Sequence, residues 1–143
     1  MTRTDFFHGV VLANIVNKND VSLKKYKKNN SSYIINDTIG IYNKYSQKRI
    51  SPWSFSFLEK HINQILEMNK NLETLFIILI CNNDGICCLN YQEFGTVLSV
   101  ENKMFPKWIK ASRLKKEKYS VSGSDGKLSY KIGNNKFPEK IFN

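Results

Sequence analysis

Three cysteines, Cys81, Cys87 and Cys88, and two histidines, His8 and His61, are the side chains here best suited to nucleophilic or metal chemistry. Structural zinc needs four ligands at close spacing, and no Cys-x-x-Cys pair occurs. A Cys–His nucleophilic pair requires the fold to carry His61 to Cys81 or Cys87. Core cysteines and a surface histidine are the stronger expectation, because the thiols lie in a strand-like stretch and an odd, clustered count is a poor disulfide framework. Asn82 to Phe94 (NNDGICCLNYQEF) imitates an EF-hand loop. Such a loop needs glycine at its sixth position and a bidentate glutamate at its twelfth. With Gly85 sixth, the first position is Ile80, the twelfth is Tyr91, and Glu93 arrives two residues late. Ser122 to Lys127 (SGSDGK) lacks the spacing of a phosphate loop and reads as a hairpin turn. No metal or cofactor is expected from these motifs.

What remains is positive charge. The 143 residues carry 22 Lys and Arg against 12 Asp and Glu, a formal charge of +10. Such a balance favours polyanionic partners. One basic group, Lys44, Lys48 and Arg49, ends a strand beside Tyr42 and Tyr45. A second runs Lys107, Lys110, Arg113, Lys115, Lys116 and Lys118 around Trp108. Cations neutralise phosphates while aromatic rings stack on bases, a combination that suits nucleic acid. The competing reading is a solvated lysine face, with Trp108 anchoring its strand to the core and lysine inflated by a Lys-, Asn- and Ile-rich composition.

These residues need a scaffold. Asp5 to Asn17 has apolar residues near helical spacing (Phe6, Val10, Val11, Ile15, Val16), with Thr4 or Asp5 as N-cap. Lys18 to Asn30 reads as a polar loop with room for a short strand. Ser32 to Asn36 and Gly40 to Ser46 read as a hairpin turning at Asp37-Thr38, and Trp53 to Phe57 (WSFSF) alternates strictly, as a third strand buried on one face. Leu58 to Asn71 is the clearest helix, with Leu58, Ile62, Ile65 and Leu66 as its stripe. Thr74 to Cys81 is a fully buried strand, turning at Asn82-Asn83-Asp84-Gly85, where Gly85 suits a positive φ. Ile86 to Leu89 returns as its neighbour, and Tyr91 to Leu98 is a short helix. A basic strand or loop from Trp108 to Arg113 precedes a hairpin pairing Tyr119–Ser122 with Leu128–Ile132, and Pro138, Ile141 and Phe142 tuck the C-terminus onto the core.

The expectation is one α/β (α+β) domain over residues 1–143: a central mixed sheet with flanking helices, built as helix, three-strand meander, helix and strand, plus a C-terminal hairpin. Residues 5–98, in that order of elements, resemble the restriction-endonuclease-like PD-(D/E)XK nuclease fold. The resemblance implies an Asp on the second strand and a Glu-x-Lys on the third, holding a divalent metal that orients the attacking water. This chain departs there: Ile41 to Ser46 has no acid, Trp53 to Phe57 offers serines, and Asp37 with Lys44 is the nearest acid–lysine pair. The chain also resembles a group of small bacterial proteins, a likeness that adds no chemistry.

Three functions follow as expectations. The first is a basic nucleic-acid-associated domain with a nuclease-like, non-catalytic core, with phage defence or counter-defence as its setting. The second is a metal-dependent nuclease using an unorthodox acid drawn from Asp37, Glu59 and Asp84. The third is a protein-interaction module with Tyr33, Tyr42, Tyr45 and Trp53 as an exposed patch. No apolar run approaches the roughly 20 residues of a membrane span, and no long apolar segment opens the chain. A cytoplasmic location without membrane contact is therefore expected, while the oligomeric state is left open.

Overall fold

The computed structural model describes all 143 residues. The chain runs α1 (Arg3–Lys18), β1 (Leu23–Lys25), β2 (Ser32–Ile35), β3 (Ile39–Ser46), β4 (Trp53–Phe57), α2 (Glu59–Asn71), β5 (Thr74–Cys81), β6 (Gly85–Asn90), α3 (Tyr91–Val97), β7 (Lys107–Ser112), β8 (Ser120–Gly123) and β9 (Gly126–Lys127), ending in a 3₁₀ turn at Glu139–Phe142. It is an α+β fold with two sheets. The first has five strands in the order β1-β2-β3-β5-β6, the second four in the order β4-β7-β8-β9. Only β3 and β5 pair in parallel, and the connection between them passes through β4 and α2. No helix is long and apolar enough to cross a membrane.

Strand β5 is apolar along its whole length because both of its faces are covered, as central strands require. Leu75, Ile77, Leu79 and Cys81 join the larger core, with α2, α3 and the second sheet. Phe76, Ile78 and Ile80 face the other way, towards Val11 and Ile15 of α1 and the C-terminal Phe137 and Ile141. Adjacent Cys87 and Cys88 are split between these two cores by the same alternation.

Several expectations change. Trp53–Phe57 is a strand, but it is not the third member of a meander. It leaves the first sheet and pairs with β7, Phe55 opposite Ile109, and the meander is β1-β2-β3 instead. Its alternation was legible; its partner was not, because a buried face fits either sheet. Helix α1 starts earlier than expected, capped by Thr2, whose Oγ1 accepts from the Asp5 N–H at 3.1 Å while Asp5 Oδ2 accepts from the Thr2 N–H at 2.9 Å. Its buried stripe is His8, Val11 and Ile15, leaving Phe6, Val10 and Val16 exposed. In the β5–β6 turn the left-handed residue is Asn82, at φ 49°, and no glycine has positive φ. Gly85 is required sterically instead: a Cβ there would lie 2.7 Å from the Tyr119 hydroxyl.

Candidate nucleic-acid interface

The second sheet buries one face and presents the other. Along β7 the inward positions are Lys107, Ile109 and Ala111, and the outward ones are Trp108 and Lys110. Register then sets two cross-strand rows on the outward face. One is Ser54, Lys110, Ser122 and Lys127. The other is Ser56 and Trp108, extended by Ser124, whose Oγ accepts from the Trp108 N–H at 2.7 Å. Trp108 remains 42% exposed, and the Lys110 Nζ lies 5.4 Å from its ring centroid. Neither row contains a carboxylate. Asp125, at the hairpin tip, turns inward, accepting from the Ser99 N–H, Asn102 Nδ2 and Lys107 Nζ.

The eight basic residues singled out from sequence divide into three groups. Lys110 lies on this face. Lys48 and Arg49, in the β3–β4 loop, and Lys115 and Lys116, after β7, are exposed and make no ion pair in the fold. Both loops meet at one end of the second sheet, where the Arg113 N–H donates to Ser51 Oγ at 3.0 Å and Trp53 Nε1 donates to the Lys48 carbonyl at 2.8 Å. Two distant basic stretches of sequence thus become neighbours.

The remaining three do not join them. Lys107 is 1% exposed, and its ammonium lies 2.8 Å from Asp125. A buried charge must be paired, so this lysine is structural. Arg113 is held by Asp84, Nε to Oδ2 at 2.7 Å and Nη2 to Oδ1 at 3.0 Å, with Tyr119 beneath it and donating its hydroxyl to Asp84. Burial works against ionisation of Asp84, but Arg113 and Tyr119 hold its carboxyl below the ordinary range. Lys44 is half-buried between the sheets, its Nζ 5.0 Å above the Phe57 ring. Burial first, then the nearby Lys60, push its pKa down to about 8.

Sequence reasoning missed Lys127, which reaches the outward face only through hairpin register. It also left Trp108 undecided between anchor and platform. In-phase Ile109 and Ala111 were the available signal, since they place Trp108 outside.

Other candidates separate as well. Tyr42 and Trp53 are buried, and Tyr33 and Tyr45 are half-buried under α1, with Tyr33 bonded to His8 and Tyr45 stacked on Phe7. They form no exposed patch. Asp37 pairs with Lys24 at the β2–β3 turn, Glu59 opens α2, and Asp84 holds Arg113. No three His, Cys, Asp or Glu side chains lie close enough together to hold a metal ion. All three thiols are buried, which pushes Cys81 and Cys88 up to about 12 and Cys87 well above its usual value. His61 sits elsewhere, its Nδ1 accepting from the Leu58 N–H at 3.0 Å. Burial, then Lys44 and Lys60, lower its pKa to about 4.

No protein-family model, curated protein or solved structure matches this chain.

Proposed function

We propose that the chain binds single-stranded nucleic acid across the outward face of its second sheet. A base stacks on Trp108, and the strand's phosphates meet Lys110 and Lys127 on the sheet and Lys48, Arg49, Lys115 and Lys116 at its end. The observation that carries this reading is the exposed Trp108 beside Lys110 on a sheet face whose two rows carry no carboxylate. An indole face accepts an unpaired base of any sequence, whereas a duplex hides its base faces in the stack. The serines flanking Trp108 are short, so the ring is open to approach.

Counterion release supplies the test. Six cations engaging a single strand correspond to a log–log salt slope of about −4, and the full set of eight singled out from sequence to about −6. Anisotropy of a labelled oligonucleotide across a salt series separates the two. Trp108→Ala weakens binding by about 1–3 kcal/mol, roughly 5- to 150-fold. A flat salt response, or unchanged affinity in Trp108→Ala, overturns the proposal.

A further inference from the structure

A cleft separate from the sheet face lies beside α1. The outer flank of α1, the β5–β6 turn and the C-terminal segment enclose a cleft of about 400 Å³, within the range of about 300–1,000 Å³ usual for small-ligand sites. Phe6, Phe7, Ile86 and Phe137 supply its apolar walls. Phe6 is 59% exposed, although it sits on an otherwise anchored helix. The polar rim is unusually uniform: Asn14, Asn82, Asn83 and Asn134, with no charged side chain among the lining residues. Asn14 and Asn82 commit their amide nitrogens to the Val10 and Gln47 carbonyls. Asn83 and Asn134 make no side-chain hydrogen bond within the chain, so each offers a free donor and a free acceptor.

We infer that this cleft receives one unpaired nucleobase of a bound strand, stacked against Phe6 and edge-bonded by Asn83 and Asn134. A carboxamide presents a donor and an acceptor side by side, the pattern displayed by base edges. A base is neutral, flat and aromatic, which suits phenylalanine walls and an uncharged rim. Its phosphate, by contrast, needs cations beside the rim, and the Asn82–Gln47 hydrogen bond at 3.1 Å ties that rim to the loop in which Lys48 and Arg49 follow Gln47. The inference takes its class of ligand from the reading above and shares Lys48 and Arg49 with it, but its base contacts are made by residues that the sheet face does not use, so each can fail separately.

Adenosine, cytidine, uridine and their 5′-monophosphates, titrated into ¹⁵N-labelled protein, provide the test. The expected result is a shift confined to the backbone amides of Phe6, Val10, Asn83, Gly85 and Asn134, with the monophosphates binding more tightly. Lys48→Ala/Arg49→Ala removes the monophosphate advantage. Phe6→Ser, at an exposed position, weakens nucleoside binding by at least about fivefold without lowering the melting temperature, and Asn134→Ala does the same. Silence of the cleft amides at millimolar nucleoside, while an oligonucleotide still perturbs the Trp108 indole, overturns the cleft and leaves the sheet reading standing. Cleft shifts without any Trp108 response overturn the sheet reading and support the cleft. Silence at both surfaces overturns both.

Discussion

Replacing Lys44 by methionine is expected to stabilise the protein at neutral pH. The lysine makes no ion pair, and the titratable group acting on it is Lys60, which shares its charge. The fall from its ordinary 10.5 to about 8 corresponds at full weight to about 3 kcal/mol against the charged form. Lys44 keeps partial contact with solvent, which reduces this to about 1–2 kcal/mol. Methionine keeps the aliphatic stem but forfeits the cation–π contact with Phe57, about 0.5–1 kcal/mol. The net gain is about 1 kcal/mol, or roughly 3–5 °C in melting temperature. Below pH 8 the amine is protonated in both the folded and unfolded states, so the penalty on the wild type is present in full. Between pH 8 and the ordinary 10.5 the folded state releases its proton first, the unfolded chain binds more protons, and wild-type stability rises with pH. The advantage of Lys44→Met therefore shrinks across that window. Urea unfolding followed by circular dichroism at pH 7, 8.5 and 10 measures the difference, and other titrations cancel between the two proteins. A variant that is less stable at pH 7, or whose advantage is equal at pH 7 and pH 10, refutes the reasoning.

Lys107→Met removes the partner of Asp125 inside the fold and is expected to cost about 3 kcal/mol without changing the salt slope of nucleic-acid binding. Lys110→Met does the reverse, lowering the slope by about 0.7 with stability unchanged; paired unfolding and salt titrations check both. Burial opposes ionisation of Glu93, but hydrogen bonds from Lys140, the Asn90 N–H and Tyr130 hold its carboxyl below the usual range, as partners do for Asp84 and Asp125. Stability is therefore full above the ordinary carboxylate range and lost as pH falls below about 4. Glu93→Gln, which strands Lys140, lowers the urea midpoint by the equivalent of about 2–3 kcal/mol at pH 7. Gly126→Ala drives a methyl into the Thr96 carbonyl oxygen and is expected to cost at least about 1–3 kcal/mol. Gly95→Ala, in α3 with open space around it, gains about 0.5–1 kcal/mol; thermal melts distinguish the two. The buried thiols are expected to resist Ellman's reagent in the native state, and all three to react once the chain is unfolded in urea.

Local signals were legible wherever one residue pattern had one structural solution. Helix α2 appears where Ile62 and Ile65 recur at helical spacing, with Met68 completing the stripe one turn on. Strand β5 reads as doubly buried because Thr74–Cys81 offers apolar side chains to both faces. Errors arose where a pattern had two solutions. On α1 the apolar residues at helical spacing exceed what one face can bury: Val11 and Ile15 reach the core, while Phe6 and Val10 line the cleft. On β7 two placements of Trp108 stood open, and Ile109 and Ala111 set the phase: Trp108 faces outward, and Lys107, one step before it and expected among the binding cations, falls on the buried side.

The sequence by itself determined the class of the fold, most of its elements and the excess of positive charge, because periodicity and composition are properties of short windows and of sums. It could not decide which lysines are free. Lys107 and Arg113 look like their neighbours in the chain, yet each meets an acid 18 or 29 residues away, Asp125 and Asp84. Lys48 and Lys115 are made neighbours only by the contact between Ser51 and Arg113, 62 residues apart. A charge is structural or available according to what lies across from it, and long-range pairing is decided by register and packing, which only the tertiary structure supplies.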